Sequence, residues 1–142
     1  MIEVERMVAG LVFDYSGNVA LIEKTRPNWQ KGNYNAIGGH IEDGETPYET
    51  MVREFREETG LYIPASEWRM FCVLTGPEKE KSWEVSFFTA VKNANLTQTT
   101  DERPEWVPYH KLPHNIINNL TWLIPMALAR SHVVATVREV AP

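Results

Sequence analysis

The stretch GGHIEDGETPYETMVREFREETGL, residues 38–61, decides the fold of this chain. Thr46, Pro47 and Glu49 form a helix-start signal, because a threonine N-cap and a glutamate three residues later bond each other's backbone and proline suits the first turn. Gly60 stands where a glycine commonly ends a helix. The stretch therefore predicts one central helix with clear ends.

This helix carries its apolar and its acidic residues on different faces. The apolar residues recur at intervals of three and four and predict the buried stripe: Tyr48, Met51, Val52 and Phe55. Glu54, Glu57 and Glu58 fall within a sector of about 100° elsewhere on the helix. Like charges one turn apart cost about 0.2–0.5 kcal/mol per pair. A bound cation would offset that cost, and a solvated acidic face is the alternative interpretation.

The rest of the chain shows the alternating and apolar runs that are typical of short strands. Strands are predicted at Met7–Phe13, Val19–Thr25, Tyr34–Ile37, Trp68–Thr75, Trp83–Val91, Glu105–Pro108 and Val133–Val140. Turns are predicted at residues 14–18 and at the charged segment Gly76–Lys81. A second helix is predicted to begin near Asn119–Thr121, which puts Pro125 in or near its first turn, where proline does least damage.

Length, charge and cysteine content limit the class of protein. The chain of 142 residues suffices for one domain, 1–142, with one core. Its net charge of −5 argues against a binder of nucleic-acid polymers, which would show a basic patch. Cys72 has no second cysteine with which to form an intrachain disulfide, and no segment reaches the roughly 18 apolar residues of a membrane span. We therefore expect a cytoplasmic protein, a monomer or homodimer, that does not bind membranes.

The loop before the central helix favours the bound cation. Gly38 and Gly39 allow a tight backbone that delivers Glu42 and Glu45 to the helix start. Mg²⁺ and Mn²⁺ prefer such oxygen ligands. The order Gly39, five residues, Glu45, seven residues and then REFREETGL (53–61) resembles the Nudix box, G-x5-E-x7-R-E-U-x-E-E-x-G-U, in which U is a bulky apolar residue. All seven fixed letters are present, and the mild departure is a phenylalanine at the first U, where the family usually has an aliphatic residue.

The resemblance implies an α/β/α sandwich around a mixed β-sheet, with the box forming a loop–helix–loop. It also implies hydrolysis of a nucleoside diphosphate linked to another moiety, with Mg²⁺ or Mn²⁺ as cofactor. The groups that resemble the family's metal ligands are Glu54, Glu57, Glu58 and the carbonyl of Gly38. Arg53 would then orient one of these glutamates instead of binding substrate, and Glu45 would brace the loop or the metal site.

Four residues outside the box are further candidates for the site. Glu102, within TTDERPEW, resembles a glutamate that many family members use as metal ligand or general base, and the alternative is an acid on a surface loop. Trp29 could stack on a nucleobase or cover the sheet edge. Asn35 could pair with a base edge. Asn119 could do the same, since members that cleave oxidised purine triphosphates use an asparagine near this helix, but helix capping is the favoured interpretation.

The sequence leaves three functions open. The leading one is hydrolysis of a nucleoside triphosphate, normal or oxidised, to a nucleoside monophosphate and pyrophosphate. The second is hydrolysis of ADP-ribose, a dinucleoside polyphosphate or a nucleotide sugar. The third is a catalytically idle Nudix-like domain that binds nucleotides or proteins. Idle versions usually lack box glutamates or the arginine, and all of these are present here.

Overall fold

The computed structural model describes residues 3–77, 81–129 and 134–140. Its elements in chain order are β1 Glu3–Phe13, β2 Asn18–Glu23, β3 Tyr34–Asn35, β4 Ile37–His40, α1 Pro47–Thr59, β5 Arg69–Gly76, β6 Lys81–Val91, β7 Arg103–Pro108, α2 Leu120–Leu128 and β8 Ala135–Arg138. Neither helix within these ranges has the length and apolar character that crossing a membrane requires.

Strand β1 lies at the centre of a mixed sheet. It pairs in parallel with β6 over its whole length, from Glu3 opposite Lys81 to Phe13 opposite Val91. Its other edge is shared, because β4 pairs with it antiparallel in the middle and β2 pairs with it antiparallel at Phe13. Beyond β6, β5 pairs with β6 antiparallel and β8 pairs with β5 in parallel. Strands β3 and β7 both pair with β2 antiparallel.

The two helices cover opposite faces of this sheet. Because successive side chains of a strand point to opposite faces, Leu11 and Phe13 of β1 enter one core cluster and Val8 and Val12 enter the other. Helix α2 packs in the first cluster and α1 in the second. The α/β/α sandwich with a mixed sheet is therefore confirmed.

The ends of α1 are those that the sequence predicts. Thr46 has the extended backbone of an N-cap, its hydroxyl accepts the Glu49 N–H at 3.2 Å, and the Glu49 carboxylate accepts the Thr46 N–H at 3.0 Å. Gly60 has a φ of 76°, which a residue without a Cβ adopts at little cost, and its N–H bonds to Arg56 O at 2.9 Å. These local bonds hold the helix in register with the loop before it.

The buried stripe of α1 differs in part from the prediction. The buried residues of this helix are Thr50, Met51, Phe55 and Thr59. Tyr48 remains 36% exposed and meets Phe88 only edge-on, and Val52 is half-buried. Thr50 replaces them because its hydroxyl donates to Glu45 at 3.0 Å, which allows a polar side chain to be buried without loss.

Helix α2 begins at Leu120 as predicted, and four of its side chains are buried: Leu120, Leu123, Ile124 and Ala127. Pro125 is the sixth residue of the helix, near the first turn as predicted but already inside the helix. An interior proline removes one backbone hydrogen bond. The helix ends soon afterwards, at Leu128, so few bonds follow the break and the buried apolar face still holds the segment.

The predicted strands are present, with shifted ends. Strands β1 and β6 begin earlier than predicted, at Glu3 and Lys81, because they support each other along their full length. The single strand predicted at Tyr34–Ile37 is two strands, since β3 pairs with β2 whereas β4 pairs with β1. Strand β7 begins two residues earlier than predicted. Residues 78–80 of the predicted turn and Val133 of the predicted last strand lie outside the described residues.

Candidate active site

Arg53 on α1 is the hub of a carboxylate cluster. Its Nε and Nη2 donate to the two oxygens of Glu45 at 2.7 and 2.8 Å. Its Nη1 donates to Glu54 at 2.9 Å and more weakly to Glu57 at 3.3 Å, and Nη2 also donates to the carbonyl of His40 at 3.2 Å. Arg53 therefore pairs with box glutamates, and its planar fork contacts three carboxylates at once.

Glu45 braces the loop that leads into α1. The hydrogen bonds from Arg53 hold the pKa of Glu45 down to about 2, and the Glu42 N–H, at 3.0 Å, and the Thr50 hydroxyl support the ionised form. In turn, the hydrogen bonds to Glu45 raise the pKa of Arg53. Both groups are charged at neutral pH, so the loop is tied to the helix by a permanent ion pair.

The glycine pair of β4 has a steric role at the site. A Cβ on Gly38 would overlap the backbone carbonyl of Val8 on β1, and a Cβ on Gly39 would overlap the carboxylate of Glu54. The space of the absent side chain is therefore filled by Glu54. Burial raises the pKa of Glu54, although the bond from Arg53 opposes that shift. A side chain at position 39 would therefore force the end of the Glu54 side chain to move.

Glu58, one turn along the helix from Glu54, meets the loop before β7. Its carboxylate accepts the Thr100 hydroxyl at 3.0 Å, and the same hydroxyl oxygen accepts the Glu102 N–H at 3.2 Å. Burial raises the pKa of Glu58, and the nearby charges of Glu102 and Glu57 add to that shift. The structure thus brings Glu102 close to the box glutamates, although the two segments are far apart in the chain.

Glu102 is a buried residue, so the surface-loop alternative is wrong. One carboxylate oxygen accepts from Lys24 Nζ at 3.1 Å, and the other accepts from the Thr25 N–H at 2.7 Å and the Thr25 hydroxyl at 3.2 Å. Burial alone would raise the pKa of Glu102, but the bonds from Thr25 and Lys24 outweigh burial and lower it. Glu102 is therefore an ionised carboxylate in a fixed pose.

Sequence reasoning missed the partners of this loop: Lys24, Thr25, Arg26 and Thr100. Arg26 forms an ion pair with Asp101, one residue before Glu102. The charges of the two segments do contain a signal for these contacts. When residues 23–26 and 101–103 are aligned antiparallel, Glu23 lies opposite Arg103, Lys24 opposite Glu102 and Arg26 opposite Asp101. The antiparallel pairing of Glu23 with Arg103 sets that register.

The predicted substrate contacts lie around the loop between β2 and β3. Trp29 is 69% exposed on that loop, so it does not cover the sheet edge. The Asn35 amide is engaged, since it donates to Gln30 at 2.9 Å and accepts the Ala36 N–H at 2.7 Å. The loop also joins the segment before α2, because the Asn115 amide donates to the Gly32 carbonyl at 2.9 Å. This bond ties the loop that carries Trp29 to the segment before α2.

Asn119 does not cap α2, which corrects the favoured interpretation of this residue. Its backbone is already helical, with φ −66° and ψ −17°, and its side chain accepts no bond from the first turn. Among the residues that the structure describes, the buried Oδ1 of Asn119 has no hydrogen-bond donor. Buried acceptors are normally hydrogen-bonded, so a ligand or a water molecule is expected to donate to this oxygen. Its role as a substrate contact stays a prediction.

The donor set fits a hard divalent cation. It consists of carboxylate oxygens and a backbone carbonyl, which Mg²⁺ and Mn²⁺ prefer. Within residues 3–77, 81–129 and 134–140, no three acidic, histidine or cysteine side chains are arranged so that they could hold a metal ion. Glu54 and Glu57 instead accept hydrogen bonds from Arg53, and Glu58 accepts one from Thr100. Burial and like charge nevertheless raise the pKa of Glu54 and Glu58, and a cation would relieve that excess of negative charge. The ligand assignment stays a prediction.

Comparison with known sequences gives a family for the chain. The NUDIX domain family model matches residues 5–125. A Nudix hydrolase of Bacillus subtilis, YvcI, is 30% identical over 129 residues, which cover 89% of this chain and 75% of that protein. An 8-oxo-dGTP diphosphatase of Proteus vulgaris is 33% identical over a shorter match of 57 residues, 40% of this chain and 51% of that protein.

Solved structures share the fold at low sequence identity. The MutT protein of Bacillus halodurans has a TM-score of 0.73 and 22% identity, covering 96% of this chain and 90% of its own. The NUDIX domain of Shewanella oneidensis NrtR, solved with ADP-ribose, has a TM-score of 0.74 and 18% identity, covering 92% and 89%. Because the family model and the Bacillus subtilis relative both span most of the chain, this protein belongs to the Nudix family and is a pyrophosphohydrolase.

Proposed function

We propose that this enzyme hydrolyses a nucleoside triphosphate, normal or oxidised, to a nucleoside monophosphate and pyrophosphate with Mg²⁺ or Mn²⁺. The observation that carries the proposal is the buried Oδ1 of Asn119, which has no hydrogen-bond donor among the described residues, together with the exposed ring of Trp29. An aromatic ring can stack on a purine base, and an amide oxygen can accept a hydrogen bond from the edge of the base.

The residues divide into metal ligands and residues that orient them. The groups assigned to the cation are Glu54, Glu57, Glu58, Glu102 and the carbonyl of Gly38. A divalent cation bound there supplies charge that neutralises phosphate oxygens and lowers the pKa of the attacking water. Arg53 orients the glutamates of α1, and a carboxylate of the set, with Glu102 as a candidate, accepts the proton of that water.

The chemistry of Asn119 favours a purine with N–H groups at the recognised edge. An unpaired buried acceptor costs about 1–3 kcal/mol, which a donor on the base would recover. Guanine presents N–H donors on its Watson–Crick edge, and oxidation at C8 turns N7 from an acceptor into a further donor. The name of the Proteus vulgaris relative, 8-oxo-dGTP diphosphatase, points to the same class of substrate.

Hydrolysis of ADP-ribose is the second candidate, and the ADP-ribose complex of the Shewanella oneidensis NUDIX domain favours it. Chromatography of the reaction products with Mg²⁺ separates the two, because a triphosphate yields a nucleoside monophosphate and pyrophosphate, whereas ADP-ribose yields AMP and ribose 5-phosphate and releases no free pyrophosphate. The panel contains the four dNTPs, 8-oxo-dGTP, ADP-ribose, a dinucleoside polyphosphate and a nucleotide sugar. Pyrophosphate from triphosphates is expected. Turnover of ADP-ribose alone would replace the proposal with the second candidate, and no turnover of any compound would refute both.

Replacing Trp29 or Asn119 by alanine is expected to raise the KM of the preferred nucleotide and leave kcat nearly unchanged. Loss of base stacking costs about 1–3 kcal/mol, so the increase is on the order of 10-fold or more. Steady-state kinetics measure it. Tyr15→Ala is the matched control, because Tyr15 is an exposed aromatic residue at the opposite end of β2. An unchanged KM in both variants would place the base elsewhere.

Arg53→Lys is expected to lower kcat by about 10–100-fold with little change in KM, the scale of losing a group that orients metal ligands. Lysine cannot reproduce the fork that bonds both oxygens of Glu45 and one of Glu54. Arg56→Lys is the control on the same helix, because Arg56 packs over the Tyr62 ring instead. A large rise in KM with kcat preserved would instead identify Arg53 as a substrate clamp.

A further inference from the structure

The β2–β7 pairing continues beyond its hydrogen-bonded end as a ladder of charged side chains. The last backbone pair, Glu23 with Arg103, is followed by contacts from Lys24 and Thr25 to Glu102. Each step joins a residue just after β2 to one just before β7. The ladder therefore determines where the loop that carries Glu102 lies relative to α1.

The Lys24–Glu102 pair is the most buried ion pair of this ladder. The Lys24 side chain is 22% exposed and that of Glu102 is 6% exposed, with 3.1 Å between Nζ and Oε1. By contrast, the Lys92–Glu67 pair at the other end of the sheet is wider, at 3.7 Å, and open to solvent.

We propose that Lys24 is a positioning residue that fixes the carboxylate of Glu102 beside the glutamates of α1. This inference rests on the proposed function, in which Glu102 serves as metal ligand or general base. Lys24 holds one carboxylate oxygen and Thr25 holds the other. Without Lys24 the carboxylate is fixed at one oxygen only and can rotate about it, and misplacement of a reacting group by about 1 Å can cost ~100-fold in rate.

Kinetics of Lys24→Met test the proposal. The expected result is a fall in kcat of about 10–100-fold with KM nearly unchanged. Lys24→Arg should recover most of the rate, because arginine can still donate to Glu102. In a Glu102→Gln background, Lys24→Met should add little further loss. Lys92→Met is the matched control, because it removes a lysine and one ion pair far from the site and should leave kcat unchanged.

Three kinetic outcomes would overturn the proposal. A large rise in KM with kcat preserved would make Lys24 a substrate ligand, and an equal loss of kcat with and without Glu102 would show that Lys24 acts through another group. Failure of Lys24→Arg to recover any rate would also count against it.

Thermal unfolding requires no substrate, so Tm measurements test this inference independently of the proposed function. In metal-free protein, Lys24→Met should lower Tm, because Glu102 becomes a buried charge without its cation. Adding Glu102→Gln to that variant should recover part of the loss. If the nucleotide panel shows no turnover, the proposed function fails, and strictly additive Tm shifts would independently refute the Lys24–Glu102 coupling.

Discussion

EDTA is expected to abolish nucleotide hydrolysis by this protein, and added Mg²⁺ or Mn²⁺ to restore it. The physical reason is charge. The chain carries a net charge of −5, and the cationic side chains at the site are already paired with carboxylates: Lys24 with Glu102, Arg26 with Asp101, and Arg53 with Glu45 and Glu54. A polyphosphate therefore meets a surplus of negative charge, which a divalent cation from solution can neutralise.

The measurement is pyrophosphate release by chelator-treated protein before and after titration with each metal. The melting temperature of the treated protein serves as the control, since loss of activity counts only if the fold persists. Full turnover in the presence of EDTA would refute the metal-dependent mechanism. Restoration by Mn²⁺ but not by Mg²⁺ would retain the mechanism and identify the cofactor.

Glu57→Gln and Glu58→Gln are each expected to lower kcat by about 100-fold or more, the scale of losing a charge-stabilising or acid–base group. An amide keeps the size of the side chain but loses the charge that a divalent cation requires. The fold should survive, because neither residue belongs to the buried face of α1. Burial and like charge raise the pKa of Glu58, so removing its charge should leave Tm unchanged or slightly higher.

Glu67→Gln is the control for these two variants, because Glu67 pairs with Lys92 away from the site. Its kcat should match that of the wild type. A kcat near the wild-type value for either site variant would show that the corresponding glutamate is not a ligand. A collapse of Tm would instead assign that glutamate a structural role.

The sequence determined α1 and its box almost completely, because the interactions that define them are local. The capping box spans Thr46 to Glu49, the C-terminal glycine bonds back to Arg56, and the box glutamates lie within one helical turn or so of each other. Spacing within a helix translates directly into position, so the family, the fold class and the cluster of acids followed from the letters alone.

Polar side chains were harder to predict than apolar ones. An apolar residue needs only a buried face, which periodicity reveals, whereas a buried polar residue needs a specific partner. Thr50 is buried because its hydroxyl donates a hydrogen bond to Glu45. Pro125 lies inside α2, where the buried side chains next to it hold the helix against the sheet. Asn119 has the position of a cap without the cap bond, a difference that only the backbone angles show.

Only the tertiary structure decided the surroundings of Glu102. Lys24 and Glu102 are 78 residues apart in the chain, and the antiparallel pairing of β2 with β7 brings them to 3.1 Å. No local pattern encodes such a contact, because it depends on the register between two strands and on the burial that follows when the loop packs against α1. The sequence by itself determined which carboxylates α1 presents, and the sheet decided which carboxylate from elsewhere lies beside them and which lysine holds it there.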